Sequence, residues 1–223
     1  MTRPSSQSGS AFFIILIAIF IFGALSYAMM QGSRTAQSGL SSEQARLAAN
    51  EIISNGDNVQ KTVQTLRLRG CTNAQINPGA NPNAPTDNSC DIYNLAGGKA
   101  TFYKLPENYH DPKFPYNTTD VSADASYNVE ETPTETTDLV YYVKFIKKDI
   151  CLSINKILEI ETDTNGDPPA ETLEAWWQDY DGTFKTGGNG IGDDSDAPHE
   201  NHSSGCYGDS TSGYTYYHVL LAQ

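Results

Sequence analysis

The sequence predicts an α+β protein: a long N-terminal helix, membrane-spanning and then amphipathic, followed by a disulfide-pinned head of strands and a further helix. Three observations predict it. One uncharged apolar run, "AFFIILIAIFIFGALSYAMM" (residues 11–30), stands in an otherwise polar chain of 223 residues. A helical stripe of apolar residues follows it. Beyond that, short aromatic and β-branched runs alternate with Asn-, Pro- and Thr-rich stretches, and all four cysteines lie past the apolar run. The chain thus divides into a polar, leader-like segment (1–9), an apolar helix (10–31), an amphipathic helix (32–70) and an acidic globular head (71–223).

The apolar run is long enough to matter. From Ala11 to Met30 it has 20 residues without a charge. As a helix it spans about 30 Å, the thickness of a bilayer's hydrocarbon core. Arg3 precedes it and Arg34 follows, so basic residues orient it only weakly. The cysteines orient it better, because they place everything after Met30 in an oxidising compartment. Three readings compete: a helix that packs against copies of itself, a plain membrane anchor, and a cleaved signal peptide. Ser26-Tyr27-Ala28 offers the small residues a signal peptidase inspects. Against that, the run is long for a signal core.

The second helix reads from "SSEQARLAANEIISNGDNVQKTVQTLRLRG". Ser41 with Gln44 fits a capping box. Leu47, Ile52, Ile53, Val59, Val63 and Leu66 form a stripe, interrupted near Asn55-Gly56, and Gly70 is a helix stop. Strands are expected at 99–105 ("KATFYKL"), 138–146 ("DLVYYVKFI") and the C-terminal "SGYTYYHVLLAQ". "KKDICLSINKILEIE" (147–161) reads as a helix with Ile150, Ile154, Ile157 and Leu158 on one face. Residues 72–98, 106–137 and 162–213 read as long loops, the last broken by "ETLEAWWQDY".

Charge is uneven. Residues 1–70 carry six basic groups against three acids, whereas residues 71–223 carry eight against 24. So acidic a body repels nucleic acid and anionic lipid, and nucleic-acid binding is set aside. Cys71, Cys90, Cys151 and Cys206 form no CxxC pair, so two disulfides are expected rather than zinc or thioredoxin-like chemistry. Three pairings are open. Cys71–Cys90 with Cys151–Cys206 is favoured, because the first bond closes a short Pro/Asn-rich loop.

The opening residues resemble the N-terminus of type IV pilins and pseudopilins: a short polar leader ending in Gly, a small or aromatic first residue, then an apolar helix. Here the leader is "MTRPSSQSG", with processing between Gly9 and Ser10. Gly23 falls where many pilins carry a helix-loosening Gly. Where the family has an early Glu that neutralises a neighbour's new N-terminus, this chain has Ile14. The Cys and Asn of "KKDICLSINKILEIE", just after a strand, are also similar to some pilin heads. The resemblance covers about 30 residues at the N-terminus. It implies a bacterial, non-enzymatic structural subunit in which the second half of the long N-terminal helix packs on a small antiparallel sheet. Such a subunit resides in the inner membrane before assembly, self-associates into an extracellular filament at the cell surface, and keeps its head outside the cytoplasm. The alternative is a monomeric, single-pass anchored surface or periplasmic binding protein.

Little in the sequence points to catalysis. No GxSxG, Walker or dinucleotide-binding motif is present, and scattered acids alone do not define a glycosidase pair. Asp163, Asn165 and Asp167 in "DTNGD" offer oxygens at a spacing that suits Ca²⁺, with Glu174 at the twelfth place and Pro168 where an EF-hand carries Gly. Pseudopilins carry Ca²⁺ in surface loops, so the resemblance favours that ion slightly; no other cofactor is implied. "GIGDDSDAPHENH" offers Asp193, Asp194 and Asp196 for Ca²⁺, or His199, Glu200 and His202 for a transition metal. Trp176-Trp177 beside Tyr180 would suit a glycan or partner surface. Asn117-Thr118-Thr119 and Asn201-His202-Ser203 match glycosylation sequons.

Overall fold

The computed structural model describes residues 13–23, 40–117, 138–170, 180–184, 190–191, 198–199 and 202–222, and residues 121–127 by their backbone. The chain forms two compact units, Met1–Ser41 and Ser42–Gln223. The head unit therefore takes in the amphipathic helix and does not begin at residue 71.

In the first unit residues 13–23 form a helix, α1, and every residue of it is exposed. At 1.5 Å per residue this piece is about 16 Å long, half a hydrocarbon core. Among the described residues no helix is long and apolar enough to cross a membrane. Residues 10–12 and 24–31 of the expected span lie outside the described residues.

The head unit is α+β. Its elements are α2 (Ser42–Leu68), a 3₁₀ turn at Asn73–Gln75, β1 (Val121–Tyr127), β2 (Asp138–Ile146), α3 (Lys148–Leu158), β3 (Ser204–Asp209) and β4 (Gly213–Leu221). The strands make one antiparallel sheet in the order β1-β2-β4-β3. α2 and α3 pack on each other and on the sheet. On the helix side β4 presents Tyr216, which is opposite Val143 of β2 and Cys206 of β3, and His218, which is opposite Tyr141. The other face is buried too: Val140, Tyr207, Tyr217 and Val219 pack with Ile191.

α2 differs from its sequence pattern in an instructive way. It runs unbroken through Asn55-Gly56, and its buried stripe is Ala45, Ala48, Ala49, Ile52, Gly56, Val59, Val63 and Leu66. Leu47 is 57% exposed. Ile52, Val59, Val63 and Leu66 of the expected stripe are buried, and the rest of the buried stripe is alanine and glycine, which the apolar spacing did not mark. Gly56 is no break. A Cβ there would lie 2.7 Å from the Tyr216 hydroxyl and 3.1 Å from the His218 ring. Its missing side chain lets the helix sit close to β4. Gly costs about 1 kcal/mol in a helix interior, so Gly56→Ala on an exposed face would stabilise. Here the clash wins. We expect Gly56→Ala to destabilise by about 1–2 kcal/mol, as small-to-large changes in packed cores do. Denaturant unfolding reads the sign directly: a gain in stability would mean that α2 does not approach β4 closely.

Two strands correct the sequence reading. Residues 99–105 form no strand, although Tyr103 and Leu105 are buried. The outer edge of β2 is taken by β1 instead, from a stretch expected to be loop. β3 also comes from an expected loop, because "SGCYGD" has almost no strand-forming residues. Tertiary contacts select it. Gly205 is required because a Cβ would lie 2.8 Å from Ile160 and 2.9 Å from Tyr217. The turn into β4 is tied by the Asp209 carboxylate, which accepts the N–H groups of Thr211 and Ser212. Those bonds hold its carboxyl below the usual range. α3 is shorter than 147–161: Glu159 turns left-handed (φ 60°) and ends it.

Both disulfides are present as favoured. Cys71–Cys90 closes the loop after α2 with Cα atoms 5.8 Å apart, and Cys151–Cys206 ties α3 to β3 with Cα atoms 5.4 Å apart.

Candidate functional site

The most distinctive surface is α1. Phe13, Ile14, Ile15, Leu16, Ile17, Ile19, Phe20, Ile21 and Phe22 are each between 44% and 79% exposed. They surround the helix rather than line one side. A helix apolar all round belongs in lipid or among other helices, not in water. Ile14, at the place of the family's Glu, is 63% exposed. Gly23 is helical and open, and a Cβ placed on it would meet nothing within 4 Å. Gly9 and Ser10 lie outside the described residues.

The joint between α3 and β3 is the most constrained part of the head. Cys151 and Asn155 are one turn apart on the buried face of α3. Both engage Cys206. Cys151 bonds its sulfur. The Asn155 side chain takes its backbone, with Nδ2 donating to the carbonyl at 2.7 Å and Oδ1 accepting the N–H at 2.8 Å. β3 is an edge strand, and this amide stands in for the missing neighbour at Cys206. His199 Nε2 also lies 3.1 Å from the Cys206 carbonyl, in the buried layer beside Tyr207 and Tyr217.

The loop candidates are held by their own chains. In "DTNGD" the Asp163 carboxylate accepts the N–H groups of Asn165 at 2.9 Å and Asp167 at 2.7 Å. Those bonds, that from Asp167 most, hold its carboxyl below the usual range. Asp167 pairs with the Lys148 ammonium. A cation there would have to displace that ammonium. Glu174, Asp193, Asp194, Asp196, Glu200, Trp176, Trp177 and Asn201 lie outside the described residues, as do the partners of Asn117 in its sequon. Tyr180 is buried and its hydroxyl donates to the Asn73 carbonyl at 2.7 Å, so it serves the core. His199 is likewise a core residue. Among the described residues no three His, Cys, Asp or Glu side chains are placed to hold a metal ion.

A cleft of about 220 Å³ opens between Asn77, Pro78, Gly79, Asp91, Tyr93 and Asn94. Its polar groups already serve the loop. Asn77 donates to Asp91 at 2.7 Å and accepts from Gly79 and Asn81, and Asn94 accepts from Ala96. Burial pushes the Tyr93 phenol up to about 12.

One polar group went unnoticed in the sequence. His218, 5% exposed, sits in the α2–sheet interface. Its Nδ1 is 3.0 Å from the Tyr216 hydroxyl, and its Nε2 is 3.9 Å from an Asp57 oxygen. Alternation along β4 puts Tyr216 and His218 on one face, but only the fold reveals that Asp57 meets them. Comparison with family models, with curated proteins and with solved structures finds no match to this chain.

Proposed function

We propose that this protein is a structural subunit of an extracellular filament of the type IV pilus kind, assembled through its apolar N-terminal helix. The observation that supports this most is α1, whose apolar side chains are exposed on every side. In the membrane such a helix is solvated by lipid; in a filament its neighbours are identical helices. Most of the burial on assembly replaces lipid contact, so close packing of the helices decides the gain. In this reading the head is structural rather than catalytic. Two disulfides suit an exported head, and the excess of acids over residues 71–223 keeps heads from clumping.

The rival is a monomeric anchored binding protein. Ile14 favours it, because the acid that sets helix register in the pilin family is absent. The N-terminus of the native chain separates the two. A start at Ser10 supports prepilin-type processing, and the chain should then be enriched in sheared surface fractions. An intact N-terminus with no filament in sheared material would overturn the proposal. A charge inside the helix gives a second test. Ile17→Lys should cost about 3 kcal/mol of membrane insertion and abolish filaments, while the purified head keeps both disulfides. Filaments at wild-type abundance from this variant would exclude the helix as the assembly element.

A further inference from the structure

The geometry points to an acid-sensitive latch between α2 and the sheet: protonation of His218 reverses its bond with Tyr216, leaves the phenol proton without an acceptor, and loosens the middle of α2.

The Tyr216 hydroxyl is buried against Gly56, and His218 Nδ1 is the acceptor within its reach. The phenol therefore donates to Nδ1, and the ring's own proton lies on Nε2. Nε2 is buried and makes no hydrogen bond. A second proton on the ring must go to Nδ1. That nitrogen then donates to the Tyr216 oxygen instead of accepting from it, and the phenol's own proton loses its partner in a site where unpaired polar groups are costly. The groups facing the ring are few. Asp57 approaches from α2, Tyr216 lies two residues along β4, and Tyr141 of β2 and Ser204 of β3 are its cross-strand neighbours. The Tyr141 hydroxyl is engaged with Asn55 of α2 at 3.2 Å. Asp57 is the only carboxylate in this set, and its side chain is 47% exposed, so water weakens its pull on a charged ring.

Burial holds His218 below its ordinary value of 6.5, and Asp57 opposes this weakly. The unfolded chain therefore binds the proton first as pH falls. Stability is full above about pH 6.5. It is lost below that, until the folded ring also titrates. Within that window the folding constant falls by up to about tenfold per pH unit for one proton. The affected elements are the middle of α2 and the β4 residues beneath it. α2 opens the head in chain order, so acid acts where the chain enters the sheet.

The test uses the full chain in detergent micelles. Denaturant unfolding is followed from pH 7.5 to 5, with amide exchange across residues 52–60, for the wild type and His218→Gln. The latch predicts faster α2 exchange and a falling folding constant below pH 6.5 in the wild type, and a much flatter profile in the variant. Should His218→Gln not fold, the His218 ring resonance is titrated in the wild type and in Asp57→Asn. The midpoint should lie below 6.5 and fall further when the Asp57 charge is removed. An unchanged pH profile in His218→Gln, or a midpoint at or above 6.5, would overturn the proposal. So would α2 exchange that ignores pH.

Discussion

Asn155→Ala is expected to cost about 2–4 kcal/mol of head stability, a large effect for one small polar side chain. The wild-type amide satisfies both backbone groups of Cys206. Truncation leaves the N–H with no partner and the carbonyl with His199 alone. Asn155 is fully buried, so water does not simply replace it. An orphaned buried backbone group costs about 1–3 kcal/mol, and the lost packing adds to that. Asn155→Asp separates the two bonds. The carboxylate still accepts from the Cys206 N–H, but it turns an oxygen towards the Cys206 carbonyl. It should therefore be at least as damaging as Ala at neutral pH and recover partly in acid, where a protonated carboxyl donates. Denaturant unfolding with the disulfides intact measures both. A loss below about 1 kcal/mol for Asn155→Ala would mean that the edge of β3 does not depend on this amide.

Why Asn155 was hard to weigh in the sequence is physical. An Asn inside a helix has no local mark that distinguishes a solvated side chain from one that caps a distant strand. Its partner, Cys206, lies 51 residues away in "SGCYGD", which has no strand signal of its own. The elements that were legible carry their reason locally. β2 and β4 are dense in aromatic and β-branched residues, and they form the centre of the sheet. α3 shows its apolar spacing at Ile150 and Ile154, although Ile157 of the expected face is exposed, and α2 shows its cap region and its Gly70 stop. The elements that were missed are the edges. β1 and β3 are chosen by the partners beside them, not by propensity. The segment 99–105 shows the converse. It has the composition of a strand, but its first residues bond back to the preceding loop, Lys99 N–H to the Asn94 carbonyl and Ala100 N–H to that of Ile92. The same logic hid the Asp57–His218 contact: each residue is ordinary on its own element, and the register of α2 against β4 makes the pair. For the apolar N-terminal run the sequence pattern is local and self-sufficient, and α1 forms within it.

Removing Cys151–Cys206 should be the most damaging covalent change, and more so than removing Cys71–Cys90. In the chain-entropy account the stabilisation grows with the loop closed. The separations are 55 and 19 residues, which correspond to about 4 and about 3 kcal/mol. Geometry widens that gap. Cys71–Cys90 closes a loop next to the end of α2, where Cys71 N–H also bonds the Leu66 carbonyl and Asn77 N–H the Cys90 carbonyl. Those local bonds hold much of the loop without the sulfur link. Cys151–Cys206 fixes the edge strand to α3 at the residue that Asn155 also grips. Loss of the covalent tie lets that strand drift, and the two Asn155 bonds weaken with it. Cys151→Ser with Cys206→Ser should therefore lower Tm by roughly 10 °C and raise exchange throughout β3 and β4. Cys71→Ser with Cys90→Ser should mainly raise exchange over residues 71–98. Adding Asn155→Ala to the Cys151–Cys206 double variant should cost less than it costs in the wild type, because both act on the same edge. Strict additivity, or a larger loss from the Cys71–Cys90 pair, would show that the α3–β3 joint is not what holds the edge of the sheet.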